Sequence, residues 1–296
     1  MSAPREDVRF ASGDETLAGW LYRPAGVDGD IPCVVMAHGF GAQKEARLDA
    51  YAERFAAAGM GVLVFDYRHF GESSGEPRNL IDIGRQHDDW RAAITHARGL
   101  DGVDPERIAL WGSSFSGGHV IAVGSGDDRV AAIVSQVPHT DGLATLRMAG
   151  PANAARMTVA GLIDAAQALV GRGPHYMPTV GPPGTLAAMN SPDAQPGYSG
   201  LYPEGFEWRN EVPARIGLRM AGYSPGKRAG DVRCPLLVQI GKSDVVTPPA
   251  PAIETSKRAP HGELIEYDLG HFDIYLGEPF ERAVTDQLEF LKRHLN

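Results

Sequence analysis

Cysteine is nearly absent. Cys33 and Cys234 are the only two in 296 residues, each beside a proline at the entry to an expected buried strand. Two thiols with no histidine or second cysteine at ligand spacing exclude a disulfide framework and imply no metal, so both are expected to be core residues. Long apolar runs are missing as well: nowhere do about 18 uncharged apolar residues follow one another, which argues against a membrane span. The N-terminal Met-Ser-Ala-Pro-Arg-Glu-Asp lacks the apolar stretch of a signal peptide. Positive charge is the scarcer sign, with 28 Lys and Arg against 37 Asp and Glu and a formal charge of −9. Nucleic-acid binding rests on basic groups that neutralise phosphates, so it is not expected here. The chain also has no block of one charge, no internal repeat and no low-complexity tract. A soluble, cytoplasmic protein with no nucleic-acid and no membrane partner is expected, with a homo-oligomer left open.

What is present is an alternation of short apolar runs with helical stripes. Residues 8–11 and 16–22 predict two strands joined at Ser12-Gly13-Asp14. Cys33 to Ala37 is continuously apolar, as a strand covered on both faces is. Leu48, Tyr51, Ala52, Phe55 and Ala56 fall on one helical face and Gly59 is placed to close that helix. A strand at 61–66, a helix over 82–98, a strand at 108–111 and another at 130–137 follow. This rhythm predicts right-handed βαβ crossovers and a mostly parallel sheet whose ligands gather beyond the carboxyl ends of its strands. It stops between about Asp141 and Asp231, where prolines and glycines multiply around one helical piece at 152–170. So long a segment is expected to be an inserted helical cap, dividing the core into residues 1–140 and 232–296. Its aromatics, Tyr176, Tyr198, Tyr202, Phe206 and Trp208, are expected mostly to pack the cap onto the core. Alternation resumes with strands at 235–240 and 263–267 and helices at 250–258 and 279–294.

The most informative stretch is Ile108-Ala-Leu-Trp-Gly-Ser-Ser-Phe-Ser-Gly-Gly-His119. A strand runs into small residues and then a helix, the sequence of a nucleophile elbow, where the serine sits on a tight turn and the residues two before and two after must be small. Ser114 fits, with Gly112 and Ser116 on either side. The pattern Gly-x-Ser-x-Gly is broken at Ser116, a small residue backed by Gly117 and Gly118. Ser113 would have Trp111 in its tight upstream position, and Ser116 would fall inside the helix. A serine hydroxyl needs a base and the base an orienting carboxylate. Asp244 and His271 each stand just past a later strand, and the order Ser, Asp, His is that of the α/β-hydrolases.

On these residues, with His38-Gly39-Phe40-Gly41, Asp66-Tyr67-Arg68 with Gly71 and Ser73, Gly241 to Asp244 and Gly270-His271, the chain resembles α/β-hydrolase fold serine hydrolases. The resemblance is to the branch of esterases, serine aminopeptidase-like and dienelactone hydrolase-like enzymes, and its first half is also similar to the fungal polyketide transferases. It implies an α/β-hydrolase fold with Ser114 as nucleophile, His271 as base and then acid, and Asp244 as the orienting carboxylate. The backbone N–H groups of Phe40 and Phe115 would form the oxyanion hole, with Gly41 the second choice for the loop donor. Asp141, after the strand that follows the elbow, stays open as an alternative acid. His38 is expected to brace its own loop, and His119 and His139 are unassigned. The implied reaction is hydrolysis of a small-molecule ester, thioester, lactone or amide without a cofactor. Acyl transfer to an alcohol or amine, or binding alone on a hydrolase fold, are the alternatives.

Overall fold

The computed structural model describes residues 4–24, 26 and 29–295. In chain order the elements are β1 (Arg5–Ser12), β2 (Glu15–Tyr22), β3 (Ile31–Ala37), α1 (Leu48–Ala57), β4 (Gly61–Phe65), α2 (Ile83–Arg98), β5 (Val103–Ser113), α3 (Phe115–Gly124) and β6 (Val130–Gln136). Then come α4 (Gly142–Met148), α5 (Pro151–Leu169), β7 (Tyr176–Met177), α6 (Ala194–Ser199), β8 (Val212–Pro213), α7 (Gly217–Met220), β9 (Leu236–Gly241), α8 (Pro249–Arg258), β10 (Gly262–Tyr267) and α9 (Gly277–Leu295).

Among the described residues eight strands form one sheet in the order β1-β2-β4-β3-β5-β6-β9-β10. The first hairpin is antiparallel, as its Ser12-Gly13-Asp14 turn implies, and β2 runs antiparallel to β4; the other neighbours are parallel. Alternate residues of β3 explain its uninterrupted apolar run. Cys33, Val35 and Ala37 face the layer that holds Trp90 and Ile94 of α2 with Val120 and Ile121 of α3. Val34 and Met36 face the opposite layer, where Tyr51 and Phe55 of α1 meet Phe280, Val284 and Leu291 of α9. Helices thus cover both faces, and a strand with no solvent side has no polar positions to offer. Both thiols are buried and unpaired. Burial pushes each up to about 12, which keeps them unreactive.

The structure departs from expectation in detail. Strand β5 begins at Val103 rather than 108, because its first residues pair across a register shift with β3. The segment between β6 and β9 contains a small antiparallel pair, β7 with β8, where no strand was expected. Two-residue strands carry no periodicity from which to read them. Among the described residues no helix is long and apolar enough to cross a membrane.

Candidate active site

Four loops converge beyond the carboxyl ends of β3, β5, β9 and β10. At the end of β5 the chain turns through Ser114 at φ 57°, ψ −118°, a left-handed conformation that costs a non-glycine residue of order 1–3 kcal/mol and persists only where its surroundings enforce it. They do so here: the Ser114 amide donates to the Gln136 carbonyl at 2.9 Å, and the Ser114 carbonyl accepts the His139 amide at 2.8 Å. The turn also needs the space that its small residues leave. A Cβ on Gly112 would lie 2.3 Å from the Ser116 carbonyl oxygen, and one on Gly118 would lie 2.3 Å from that of His139. Because backbone blocks the first of these, Gly112→Ala is expected to destabilise the protein by about 3 kcal/mol. In a thermal melt this is a fall in Tm of roughly 6 °C, and an unchanged Tm would mean that the turn is looser than it looks. Position 116 is not under that restriction, and the Ser116 side chain points into the core, its Oγ 3.0 Å from the Tyr67 hydroxyl. Tyr67 in turn accepts from Trp90 Nε1 at 2.7 Å.

The Ser114 hydroxyl lies 3.1 Å from His271 Nε2, and His271 Nδ1 lies 2.7 Å from Asp244 Oδ2. Asp244 is fixed by its own turn, its Oδ1 accepting the backbone N–H groups of Val246 at 2.8 Å and Thr247 at 2.7 Å. With that carboxylate on Nδ1, the imidazole keeps its proton there and turns the Nε2 lone pair to the serine. Such an array can take a proton from the hydroxyl as it attacks a carbonyl and deliver it to a leaving group. His271 is 1% exposed and Ser114 8%, and of the two only Ser114 lines the larger cavity beside the site.

The other sequence candidates occupy different positions. Asp141 caps α4, its Oδ1 accepting the Ala144 amide at 3.0 Å, which leaves the place beside His271 to Asp244. Two further acids flank His271 along the chain: Asp268 is exposed and pairs with Lys242 at 2.5 Å, while Asp273 accepts the Gly270 amide at 2.8 Å. Neither touches the imidazole. His38 is buried with Nδ1 3.0 Å from the Gly39 carbonyl and its ring edge-on to Tyr67, and burial pushes it down to about 4. It braces the loop as a neutral ring. That loop presses on the elbow, since a Cβ on Gly39 would lie 3.2 Å from Ser114 Cβ. The Phe40 ring stands edge-on to Phe115 at 5.3 Å. Phe115 opens α3, where an amide has no partner within the helix.

Sequence reasoning missed several supports. Thr247 Oγ1 sits 2.8 Å from Asp244 Oδ2 and 3.2 Å from His271 Nδ1; the Asp-x-x-Thr spacing carried a local turn signal for it. Tyr198 donates its hydroxyl to the Phe40 carbonyl at 3.0 Å, a contact across 158 residues with no local signature. The remaining aromatics of that segment largely stack on one another, Tyr202 against Phe206 and Trp208. Beneath the elbow, Gln287 of α9 donates to Gln136 at 2.8 Å and to Gln239 at 2.6 Å, while Ser113 Oγ approaches the Tyr275 hydroxyl at 2.5 Å.

A cavity of about 470 Å³ opens beside Ser114, with Phe115 and His139 on one side and Met148, Met189 and Met220 among its apolar walls.

The family model described as X-Pro dipeptidyl-peptidase (S15 family) matches residues 13–175, more than half of the chain. The chain belongs to this family of α/β-hydrolases. The S15-family chain is 43% identical over 287 residues to the quorum-quenching protein AidA of Acinetobacter baumannii (strain MDR-ZJ06), covering 97% of this chain and 94% of that one. It is 30% identical over 302 residues to the polyketide transferase ATR5 of Stachybotrys chlorohalonatus (strain IBT 40285), covering 98% of each. Among solved structures it is similar to the α/β-hydrolase GrgF from Penicillium sp. sh18, with a TM-score of 0.82, 27% identity and 99% of both chains covered. The similarities to these three proteins, unlike the family match, span the whole segment between β6 and β9 as well as the sheet.

Proposed function

We propose that the protein is a serine hydrolase that cleaves a carboxylic ester, or a related thioester, lactone or amide, through an acyl-serine intermediate. The observation that carries this reading is the continuous contact from Asp244 through His271 to Ser114. In this mechanism Ser114 Oγ attacks the substrate carbonyl while His271 Nε2 takes its proton. The tetrahedral oxyanion is held by the N–H groups of Phe40 and Phe115, each worth roughly 3–4 kcal/mol in the transition state. His271 then gives the proton to the leaving group, and water, activated by the same imidazole, releases the acyl group. Residues 141–231 serve as the cap that shapes the acyl cavity, over a core made of residues 1–140 and 232–296. A cytoplasmic location accords with two buried, unpaired thiols. Despite the family's description, we do not assign dipeptidyl-peptidase activity. Recognition of a free amino terminus calls for a carboxylate in the pocket, and among the described residues the cavity walls include no Asp or Glu.

A second reading is acyl transfer to an alcohol or amine, favoured by the similarity to a protein named as a polyketide transferase. The chemistry up to the acyl-serine is shared, and the outcome depends on whether water or a bound acceptor arrives first.

The test is labelling with a fluorophosphonate, followed by a panel of p-nitrophenyl esters, thioesters and lactones with and without added alcohols and amines. Stoichiometric labelling at Ser114 with turnover of at least one acyl class is expected. Acyl-alcohol or acyl-amine products would select the transferase reading. Absence of labelling would end both.

A further inference from the structure

Among the described residues lining the cavity beside Ser114, three buried side-chain atoms lack a hydrogen-bond partner, His139 Nε2, Asn153 Oδ1 and the Ser191 hydroxyl, and the two on His139 and Asn153 are acceptors. The first is His139 Nε2, on a residue 2% exposed and fixed directly behind the elbow by the bond from its amide to the Ser114 carbonyl. The Thr145 hydroxyl, 3.3 Å from His139 Nδ1, spends its own proton on the Asp141 carbonyl at 3.0 Å. That hydroxyl is then left to accept from the ring, which also has the Tyr223 backbone as a neighbour, so the hydrogen is assigned to Nδ1 and the lone pair to Nε2. Burial holds this imidazole down to about 4, so it stays neutral. The second acceptor is Asn153 Oδ1 on α5, on a residue 3% exposed. The Asn153 Nδ2 group donates to the Ala187 carbonyl at 2.9 Å, which fixes the amide orientation and leaves Oδ1 free. Both side chains line the same cavity, whose other walls are mainly methionine, alanine, proline and valine. Buried acceptors are nearly always paired, so each exception calls for an explanation.

We propose that His139 and Asn153 form a subsite for acyl substrates that carry a hydrogen-bond donor, a hydroxyl or an amide N–H, on the chain held in this cavity. Two uncharged acceptors favour a neutral donor; Arg156, the one charged residue in the described lining, is exposed and donates to the Gly184 carbonyl. A plain alkyl chain would leave both atoms buried and unpaired, and a site built this way discriminates strongly against the analogue that lacks the group. His139, fixed to the Ser114 backbone, would read a donor close to the reacting carbonyl, and Asn153 one nearer the α5 wall. The inference deepens the acyl-serine reading, on which it rests for placing the carbonyl at Ser114.

Binding can be measured without turnover, so a Ser114→Ala protein is titrated by calorimetry with octanamide, 3-hydroxyoctanamide, 3-methoxyoctanamide and N-hexanoylglycinamide. The 3-hydroxy compound, the N-acylglycinamide or both are expected to bind at least tenfold more tightly than octanamide, and the methoxy compound no better than octanamide. Which of the two gains tells hydroxyl from amide recognition. His139→Phe and Asn153→Leu should each reduce the preference several-fold, whereas His139→Gln, which restores an acceptor oxygen, should retain part of it; thermal melts confirm that each variant is folded. Affinities within twofold across all four ligands, or a preference unchanged in both variants, would overturn the proposal. Loss of fluorophosphonate labelling in the wild type, with the binding preference intact, would instead remove the acyl-serine mechanism and leave the subsite standing.

Discussion

Replacing Ser114 by alanine is expected to lower kcat on any ester the protein turns over by about 10⁶-fold, close to the loss found when a triad nucleophile is deleted elsewhere. The size follows from what is removed. Without the hydroxyl there is no acyl-enzyme, and the residual rate rests on the oxyanion donors and on substrate binding alone. Asp244→Asn should cost less, roughly 10⁴-fold. The Val246 and Thr247 amides, at 2.8 and 2.7 Å, would hold the asparagine oxygen and turn its NH₂ toward His271, favouring the wrong tautomer. Ser113→Ala and Ser116→Ala discriminate this assignment from its neighbours on the elbow. The Ser113 hydroxyl is engaged with Tyr275 and Gln136, and that of Ser116 with Tyr67, so both variants should keep turnover within about tenfold of wild type while losing some stability. Stopped-flow hydrolysis of a p-nitrophenyl ester, with a melt for each variant, measures all four. A Ser114→Ala protein that retains even 1% of wild-type turnover would refute the assignment of the nucleophile.

The parts of this site that could be read from sequence are those built by local chain geometry. The elbow is a strand, a tight turn and a helix in twelve consecutive residues, and each small side chain in it answers a steric demand that the structure then displays at Gly112 and Gly118. Sheet polarity was legible because a parallel strand covered on both faces has nowhere to place a polar residue, as in Cys33 to Ala37. The departure at Ser116 was the one local feature whose reason was hidden: its partner, Tyr67, lies 49 residues away. The same holds for the rest of the unread detail. Tyr198 on the Phe40 carbonyl, Gln287 between Gln136 and Gln239, and the unpaired acceptors of His139 and Asn153 depend on which side chains meet after folding. A histidine after a strand looks the same in sequence whether its lone pair is spent or free.

Acidification is expected to destabilise the protein from about pH 6.5 downward, above the pH at which ordinary carboxylates titrate. Burial is the first cause holding His38 and His139 down to about 4. It also holds His119, packed among His87, Tyr223 and Gln86, well below the ordinary histidine value. A histidine whose pKa is lower folded than unfolded binds its proton preferentially in the unfolded chain, so stability must rise with pH across the interval between the two values. The full contribution is therefore present above about pH 6.5 and is lost as pH falls toward 4, by up to about 3 kcal/mol for each of His38 and His139. Against a net stability of the order of 5–15 kcal/mol, the loss from these two alone removes a large share by about pH 4. Glu72, held down first by its hydrogen bond from Lys44, and Asp164, whose desolvation is outweighed by Arg215, add their own loss only below the usual carboxylate range. Urea unfolding at pH 7.5, 6.5, 5.5 and 4.5 should show a steepening decline that starts near 6.5. Substituting His139 by glutamine should flatten that slope by about one proton. A free energy constant from pH 7.5 to 4.5 would mean that these imidazoles take up protons in place, and with them the neutral, acceptor-bearing His139 would be lost.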